Sequence, residues 1–295
     1  NGPEGGVWVI AETRELGTRY IKIVVTDDKG RYVLPDLPKA NFDIWVRGYG
    51  LVDSPKLRSG PGNIINLTAV PAPNEATAAQ YYPAIYWYSM LKIPSKSMFG
   101  GKSGIPAKIR QQDWLTIVKN RSCIGCHQLG NLATRTIPQQ FGTGANAWMR
   151  RTQSGQAGAS MTGKLAGQLG GVPYKYFGEW TDSIAKGALP HTKPPRPQGV
   201  ERNIVVTVRD WLTEKHYLHD LISTDRRDPT VNAYGPLYGA PEFSTDHLPV
   251  LDPIKNTVWS IKAKTKPGTK FARPGHAKAK PVMPSAYWGN EVIWN

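Results

Sequence analysis

The whole chain of 295 residues contains only two cysteines, Cys123 and Cys126, separated by two residues. A disulfide-stapled fold needs several cysteines at wider spacing, so this chain cannot be held together in that way. Its stability must come from buried apolar side chains, and hydrophobic residues make up 40% of the sequence. The length exceeds that of a typical single-core domain and predicts two or three modules.

The segment Cys123–His127 reads Cys-Ile-Gly-Cys-His. Two thiols at this spacing can add to the two vinyl groups of a haem, and the adjacent histidine can bind the iron, so we predict one covalently bound haem c. A structural zinc site needs four ligands, and only three candidate ligands are clustered here. A thioredoxin-type redox pair would need a βαβ context, which the surrounding sequence does not show.

The sequence around this motif is predicted to be helical. Apolar residues recur at helical spacing before it, at Ile109, Trp114, Ile117 and Val118. With the motif, residues 106–222 resemble the class I cytochromes c, which implies an all-α domain. The resemblance gives thioether links at Cys123 and Cys126 and makes His127 the proximal ligand of the haem iron. Residues 200–212 are ambiguous by composition, and we expect a helix that ends this domain.

A distal iron ligand is predicted at Met161. It ends a predicted loop, Gly155–Met161, that follows the segment Trp148–Gly155, and enough chain separates it from His127 to cross a haem face. A thioether ligand raises the reduction potential and favours electron transfer over oxygen chemistry. His191 is the alternative distal ligand, and Met149 is expected to be a helix core residue. We expect the pair His216 and His219 to be ordinary polar residues, although their spacing could suit a metal.

The first 72 residues are predicted to be β structure. Runs of β-branched and aromatic residues of strand length occupy Val7–Ile10, Ile21–Thr26, Arg31–Leu34, Phe42–Arg47 and Ile64–Val70. The segment Thr26–Tyr32, followed by Leu34–Pro38, resembles the carboxypeptidase regulatory-like β-sandwich, which is transthyretin-like. The resemblance implies a structural module without catalysis at residues 1–72. Proline and aromatic residues then predict a linker at residues 73–105.

Residues 223–295 are predicted to form β hairpins. Leu248–Leu251, a turn at Asp252–Asn256 and Thr257–Ile261 read as strand–turn–strand, and Trp288–Trp294 reads as a further strand. This pattern resembles the first blade of a streptogramin-lyase-like β-propeller, of which only a part would be present because a propeller needs at least four blades. The predicted fold class is therefore multidomain: a transthyretin-like β-sandwich, an all-α cytochrome c domain and C-terminal β hairpins. This order resembles exported bacterial multidomain proteins.

The formal net charge of the chain is +15. Between residues 106 and 164, Asp113 is the one acid, against eight basic residues: Lys108, Arg110, Lys119, Arg121, Arg135, Arg150, Arg151 and Lys164. If these charges surround the haem edge, they would orient an acidic redox partner protein or a larger membrane-associated redox complex. Nucleic acid is a poorer match, because stacking aromatics do not alternate with the charges.

No run of about 18 apolar residues occurs, so no transmembrane segment is predicted in this chain. Covalent haem and the resemblances point to a periplasmic or extracellular bacterial protein whose signal peptide has been removed. Because unpaired strand edges aggregate, we also expect the natural chain to extend at both ends or a partner to cover its terminal strands.

The preferred function is single-electron transfer by a protein that is not itself an enzyme. A rival interpretation is a haem-containing dehydrogenase or lyase, whose active site would lie in a propeller mostly absent from this chain. A third is a subunit of a larger respiratory or photosynthetic assembly, in which the aromatic linker and the basic surface are contacts. The sequence does not separate these three interpretations.

Overall fold

The computed structural model describes residues 2–101, 103–125, 127–154, 157–211, 218–225, 227–241 and 247–262. Within these residues the chain forms two compact units. The sheet unit contains the residues up to Tyr81 together with those from Pro195 onward, and the helical unit contains Tyr82–Pro194. Helices and antiparallel sheets are both present, which agrees with a multidomain class at this coarse level. In the described ranges, no helix is both long enough and apolar enough to cross a membrane.

The sheet unit is built around a five-stranded antiparallel sheet with the strand order β5-β3-β1-β2-β7. A separate two-stranded sheet pairs β4 with β6. Trp8 lies opposite both Val25 and Arg47, so β1 is the central strand. The predicted strands near residues 7–10, 21–26 and 42–47 are confirmed. These strands are β1 (Trp8–Thr13), β2 (Tyr20–Val25), β3 (Phe42–Arg47), β4 (Leu51–Val52), β5 (Leu57–Ser59), β6 (Val70–Pro71) and β7 (Val206–Arg209).

Two predicted strands are wrong. Arg31–Leu34 are not in a strand, and of Ile64–Val70 only Val70 belongs to one. These segments are held to each other and to the sheet by side chains: the Tyr32 hydroxyl donates to the Ile65 carbonyl (2.9 Å), and Lys22 Nζ donates to the Pro35 carbonyl (2.9 Å). Tyr32, Leu34, Ile65, Leu67 and Ala69 pack on the core of the sheet unit, whereas Val33 and Ile64 are exposed. Strand-like composition here reports burial against a core and not strand pairing.

The expected helix at residues 200–212 is also wrong. A short 3-10 helix at Gly199–Asn203 is followed by β7, which pairs antiparallel with β2 from Ile23–Val206 to Tyr20–Arg209. Val206, Thr207 and Val208 are β-branched, and such side chains lose rotamer freedom in a helix but fit a pleated strand. The open edge of β2 supplies backbone hydrogen-bond partners, and these favour a strand over a helix for this segment.

A second antiparallel sheet in the sheet unit has the strand order β11-β10-β9-β8. Its strands are β8 (Leu218–Ile222), β9 (Leu237–Pro241), β10 (His247–Asp252) and β11 (Thr257–Lys262). The predicted hairpin is confirmed, with Asp252 opposite Thr257. Asp252 accepts the backbone N–H groups of Ile254 and Lys255 (both 2.9 Å), and Asn256 adopts φ 52°, a conformation that asparagine tolerates. The predicted strand Trp288–Trp294 lies outside the described residues.

One helix of the sheet unit precedes those of the helical unit. The α-helices are α1 (Glu75–Ala79) in the sheet unit, then α2 (Ala84–Ser89), α3 (Gln111–Trp114), α4 (Leu132–Arg135), α5 (Gly144–Gln153), α6 (Gly158–Thr162) and α7 (Val172–Ala185). Two π-helical segments, Leu115–Asn120 and Gly163–Gln168, continue α3 and α6. Short 3-10 turns occur at Lys96–Met98 and Gln139–Phe141.

The core of the helical unit is aromatic, and α5 packs directly on α7 within it. The Trp148 ring lies 4.6 Å from that of Phe177 between centroids, and Trp148 Nε1 donates to Thr181 Oγ1 (3.0 Å). The two helices meet at Gly178, where an added Cβ would lie 2.4 Å from the Gly144 carbonyl carbon. Glycine is therefore required at Gly178 by the closeness of the two backbones.

The boundaries of the two compact units differ from the predicted domain boundaries. Tyr88, Leu91 and Ile105, in the predicted linker, are buried in the core of the helical unit. Strand β7, in the predicted haem domain, belongs to the sheet unit. The aromatic run that predicted a linker thus supplies core side chains.

Candidate functional site

The Cys-x-x-Cys-His motif follows the π-helical segment that ends at Asn120. The Cys123 N–H donates to the Ile117 carbonyl (3.1 Å), and the His127 N–H donates to the Cys123 carbonyl (3.0 Å). This i to i−4 bond places Cys123 and His127 one helical turn apart. A Cβ at Gly125 would lie 2.8 Å from the Arg121 carbonyl oxygen, so the turn needs glycine there. Cys126 lies outside the described residues.

The segment after the motif is fixed to the helical unit. Gly130 adopts φ +99°, and an added Cβ there would lie 1.9 Å from the Ala84 carbonyl oxygen. Asn131 caps α4, with its side chain accepting the Thr134 N–H (2.8 Å). A larger residue at position 130 would clash with Ala84, and loss of the Asn131 side chain would remove the cap of α4, so both residues help to fix the segment after the motif.

A cavity of about 220 Å³ opens beside the motif. Its wall contains three of the predicted haem-binding side chains, Cys123, His127 and Met161. The rest of the described wall comes from residues on both sides of the motif, from α4 and α5, from α6 with its N-cap and π-helical continuation, and from α7. Those residues are Ser122, Leu129, Thr134, Trp148, Arg151, Thr152, Ala157, Ser160, Lys164, Leu165 and Phe177. The structure therefore brings residues far apart in sequence to one concave, partly apolar site.

The imidazole of His127 lies at the edge of the protein interior. Its Nδ1 atom is buried, whereas the residue as a whole is partly exposed and lines the cavity. Cys123 is also partly exposed. One face of each side chain is therefore accessible from the cavity, which is the condition for both to reach a bound group.

Met161 differs from its predicted setting in one respect. We expected it on a loop, and it lies on the short helix α6 instead. It lines the cavity nonetheless. Met149 is 39% exposed on α5, so the expectation that it is a core residue is wrong.

The alternative distal ligand His191 is exposed and is not among the described residues that line the cavity. Of the histidine pair, His216 lies outside the described residues, and His219 belongs to β8 rather than to a helix. Among the described residues, no group of three or more His, Cys, Asp and Glu is gathered as a metal-ion site.

The cavity wall also contains a buried cation, Arg151, at 1% exposure. Its guanidinium donates to the carbonyls of Thr134 (3.2 Å), Thr136 (2.8 Å) and Ala133. It also lies 5.1 Å from the centroid of the Trp148 ring. Burial lowers the pKa of Arg151 to about 10, which still leaves the side chain charged at neutral pH.

Two further cations of the helical unit are wholly or partly buried. Arg135 donates to the Gly130 carbonyl (2.8 Å) and lies 4.2 Å from the centroid of the Trp87 ring. Lys119 donates to the Tyr88 carbonyl (3.0 Å), and burial lowers its pKa to about 8. Because Arg135 and Arg151 are buried, they are not part of a basic surface that could orient a partner.

Arg151 and Trp148 were missed as site residues, although the sequence carries a signal for them. Along α5, Ala147, Trp148, Arg151 and Thr152 are buried, whereas Met149 and Arg150 are exposed. This is the i, i+3, i+4 spacing of one helix face. Aligning Arg151 with Trp148 would have placed the arginine on the inner face.

Comparison of the chain with protein-family models, with curated proteins and with solved structures found no match.

Proposed function

We propose that this chain is a c-type cytochrome that transfers single electrons through one haem, bound covalently at Cys123 and Cys126. His127 and Met161 are its proximal and distal iron ligands in this proposal. A haem held there would supply a one-electron couple at its iron. Every other part of the task, namely attachment, orientation and exclusion of water, belongs to the residues of the chain.

The observation that carries the proposal is the shared cavity. A thiol, an imidazole and a thioether, from Cys123, His127 and Met161, line one site although α4 and α5 separate Met161 from the motif. This donor set matches covalent haem attachment with histidine and methionine ligation. It is a poor match to a structural zinc site, which takes four thiolate or imidazole ligands.

The remaining side chains of the wall suit such a group. Trp148, Leu165 and Phe177 provide apolar and aromatic surface, and an apolar shell limits solvent access and so influences the reduction potential. The glycine turn at Gly125 and the cap at Asn131 hold the motif in place without the bound group. These features favour a rigid site, as electron transfer with little rearrangement requires.

The wider proposal concerns the whole chain. We infer that the sheet unit contains a transthyretin-like β-sandwich, that the helical unit is the cytochrome c domain, and that residues 223–295 belong to a partial β-propeller. We also infer export to the periplasm or the cell exterior, and an acidic redox partner or a larger membrane-associated complex. The support for these points is the sequence resemblances, with the four-stranded antiparallel sheet β8–β11 agreeing in kind with a propeller blade.

The test is covalent haem in the full chain, produced in a bacterium with a c-type cytochrome maturation system. We expect haem to stay with the denatured polypeptide on a gel and to give a c-type pyridine haemochrome spectrum. Cys123→Ala should remove one thioether link and shift that spectrum, and Cys123→Ala with Cys126→Ala should leave no covalent haem.

His191→Ala is the matched control, since it removes an exposed imidazole outside the cavity wall. It should leave haem content unchanged. A wild-type protein that matures without covalent haem, in a host that attaches haem to a reference cytochrome, would refute the proposed function.

A further inference from the structure

Arg151 is the most deeply buried charged side chain in the described wall of the cavity. It is 1% exposed and shares this wall with Cys123, His127 and Met161. Three backbone carbonyls accept hydrogen bonds from its guanidinium, so the charge is fixed in position. Arg151 therefore places a buried positive charge in the wall of the cavity.

The carbonyl groups that accept hydrogen bonds from Arg151 offset part of its positive charge. The three carbonyl dipoles direct their negative ends at the guanidinium and offset some of its field, but they carry no net charge. None of the described residues in the cavity wall is Asp or Glu. Solvent screening is weak for a buried group, so the field of Arg151 reaches across the cavity.

The other basic residues near the cavity are placed differently. Lys164 lines the wall but is partly exposed, and its Nζ donates to Gln168 Oε1 (3.3 Å). Arg150 is the immediate neighbour of Arg151 in sequence but lies on the exposed face of α5. Water and salt screen these two charges more strongly than that of Arg151.

We propose that the fixed positive charge of Arg151 raises the reduction potential of the redox group bound in the cavity. The charge does so because it disfavours the oxidised form of that group. The inference rests on the proposed function. In the step concerned, one electron arrives from an external one-electron donor, no bond forms or breaks, and the charge of the site falls by one unit. A nearby fixed cation is repelled less strongly by the reduced site than by the oxidised one, so Arg151 favours reduction.

The experiment compares the midpoint potentials of the wild-type holoprotein, Arg151→Gln, Arg151→Lys and Arg150→Gln by redox titration with mediators. At a fixed ambient potential, Arg151→Gln should raise the ratio of oxidised to reduced protein about tenfold. For a one-electron couple, this ratio corresponds to a midpoint potential lower by about 59 mV. Arg150→Gln removes the same charge from an exposed site and should change this ratio much less. At a pH low enough to protonate the new lysine, Arg151→Lys keeps the charge and should stay near the wild-type potential, although its thermal stability falls with the lost carbonyl contacts.

The set of variants separates charge from structure. If the role of Arg151 is only structural, through its hydrogen bonds to the carbonyls of residues 133, 134 and 136, Arg151→Lys and Arg151→Gln will lower the potential equally. That result would overturn the proposal. Equal potentials for Arg151→Gln and wild type also overturn it. Wild-type protein that contains no haem would instead refute the proposed function, so the two failures are distinguishable.

If Arg151→Gln does not fold, Arg151→Lys gives the answer. Burial disfavours the charged form of a lysine, so a lysine at position 151 should lose its proton at a lower pH than one at the exposed position 150. As the pH rises, the potential of Arg151→Lys should therefore fall earlier and further than that of Arg150→Lys. The same pH profile for both variants would overturn the proposal.

Discussion

At the scale of single residues, two methionines on neighbouring helices have opposite surroundings. Met161 lines the cavity, whereas Met149 is 39% exposed on α5. We predict that Met161→Ala abolishes the weak sulfur-to-iron charge-transfer band of the oxidised haem protein and lowers its midpoint potential, because a thioether ligand favours the reduced iron. Met149→Ala should alter neither. Optical spectroscopy and redox titration measure both effects.

The same measurements discriminate between the two candidate distal ligands. A band that persists in Met161→Ala would contradict methionine ligation at this position. If the band is absent from the wild type, and a histidine-ligated spectrum is lost in His191→Ala, the ligand is His191 and the exposed position found for it must change when haem binds.

At the scale of secondary-structure elements, the closest contact in the helical core is between two backbones. An added Cβ at Gly178 on α7 would lie 2.4 Å from the carbonyl carbon of Gly144 on α5. We predict that Gly178→Ala lowers the free energy of unfolding by about 3 kcal/mol, because the helices must separate and the Trp148–Phe177 contact loosens. Urea unfolding followed by circular dichroism measures this change.

Gly163 is the matched control for Gly178. It has helical dihedral angles, and an added Cβ there meets nothing within 4 Å. Gly163→Ala should therefore be neutral or stabilise the protein by up to about 1 kcal/mol, since alanine restricts the unfolded chain. Equal effects at the two glycines would show that the α5–α7 approach is not the cause.

At the scale of the whole molecule, the net charge of +15 should steer anionic partners toward the protein. We predict that oxidation of the reduced holoprotein by hexacyanoferrate(III), an anion, slows severalfold between low salt and 0.15 M, where the Debye length is about 8 Å. With a cationic cobalt(III) complex as the oxidant, the rate should rise with salt. Stopped-flow absorbance measures both rates.

Within the helical unit, the exposed residues Arg150 and Arg121 can steer an anionic oxidant, whereas Arg151 is buried. At low salt, Arg150→Glu should slow the anionic oxidant more than Arg14→Glu, which changes the net charge equally in the sheet unit. Rates that do not depend on salt, or that fall equally in both variants, would argue against local steering.

Several features could be predicted from the sequence because they depend on local chemistry. β-branched and aromatic residues define β1 to β3, with strictly alternating burial along β2, and a turn sequence defines the hairpin of β10 and β11. The spacing of Cys123, Cys126 and His127 predicts haem chemistry without reference to any fold.

The remaining features were decided by contacts between distant segments. Strand β7 forms because the edge of β2 offers backbone partners, and residues 31–34 remain irregular because side chains, not a ladder, hold them to the core. The inward position of Arg151 follows from the packing of α5 on α7, which selects one face of the helix. Composition reports which residues tend to be buried, but only the tertiary structure provides the surface that buries them, and the cavity exists only where those surfaces meet.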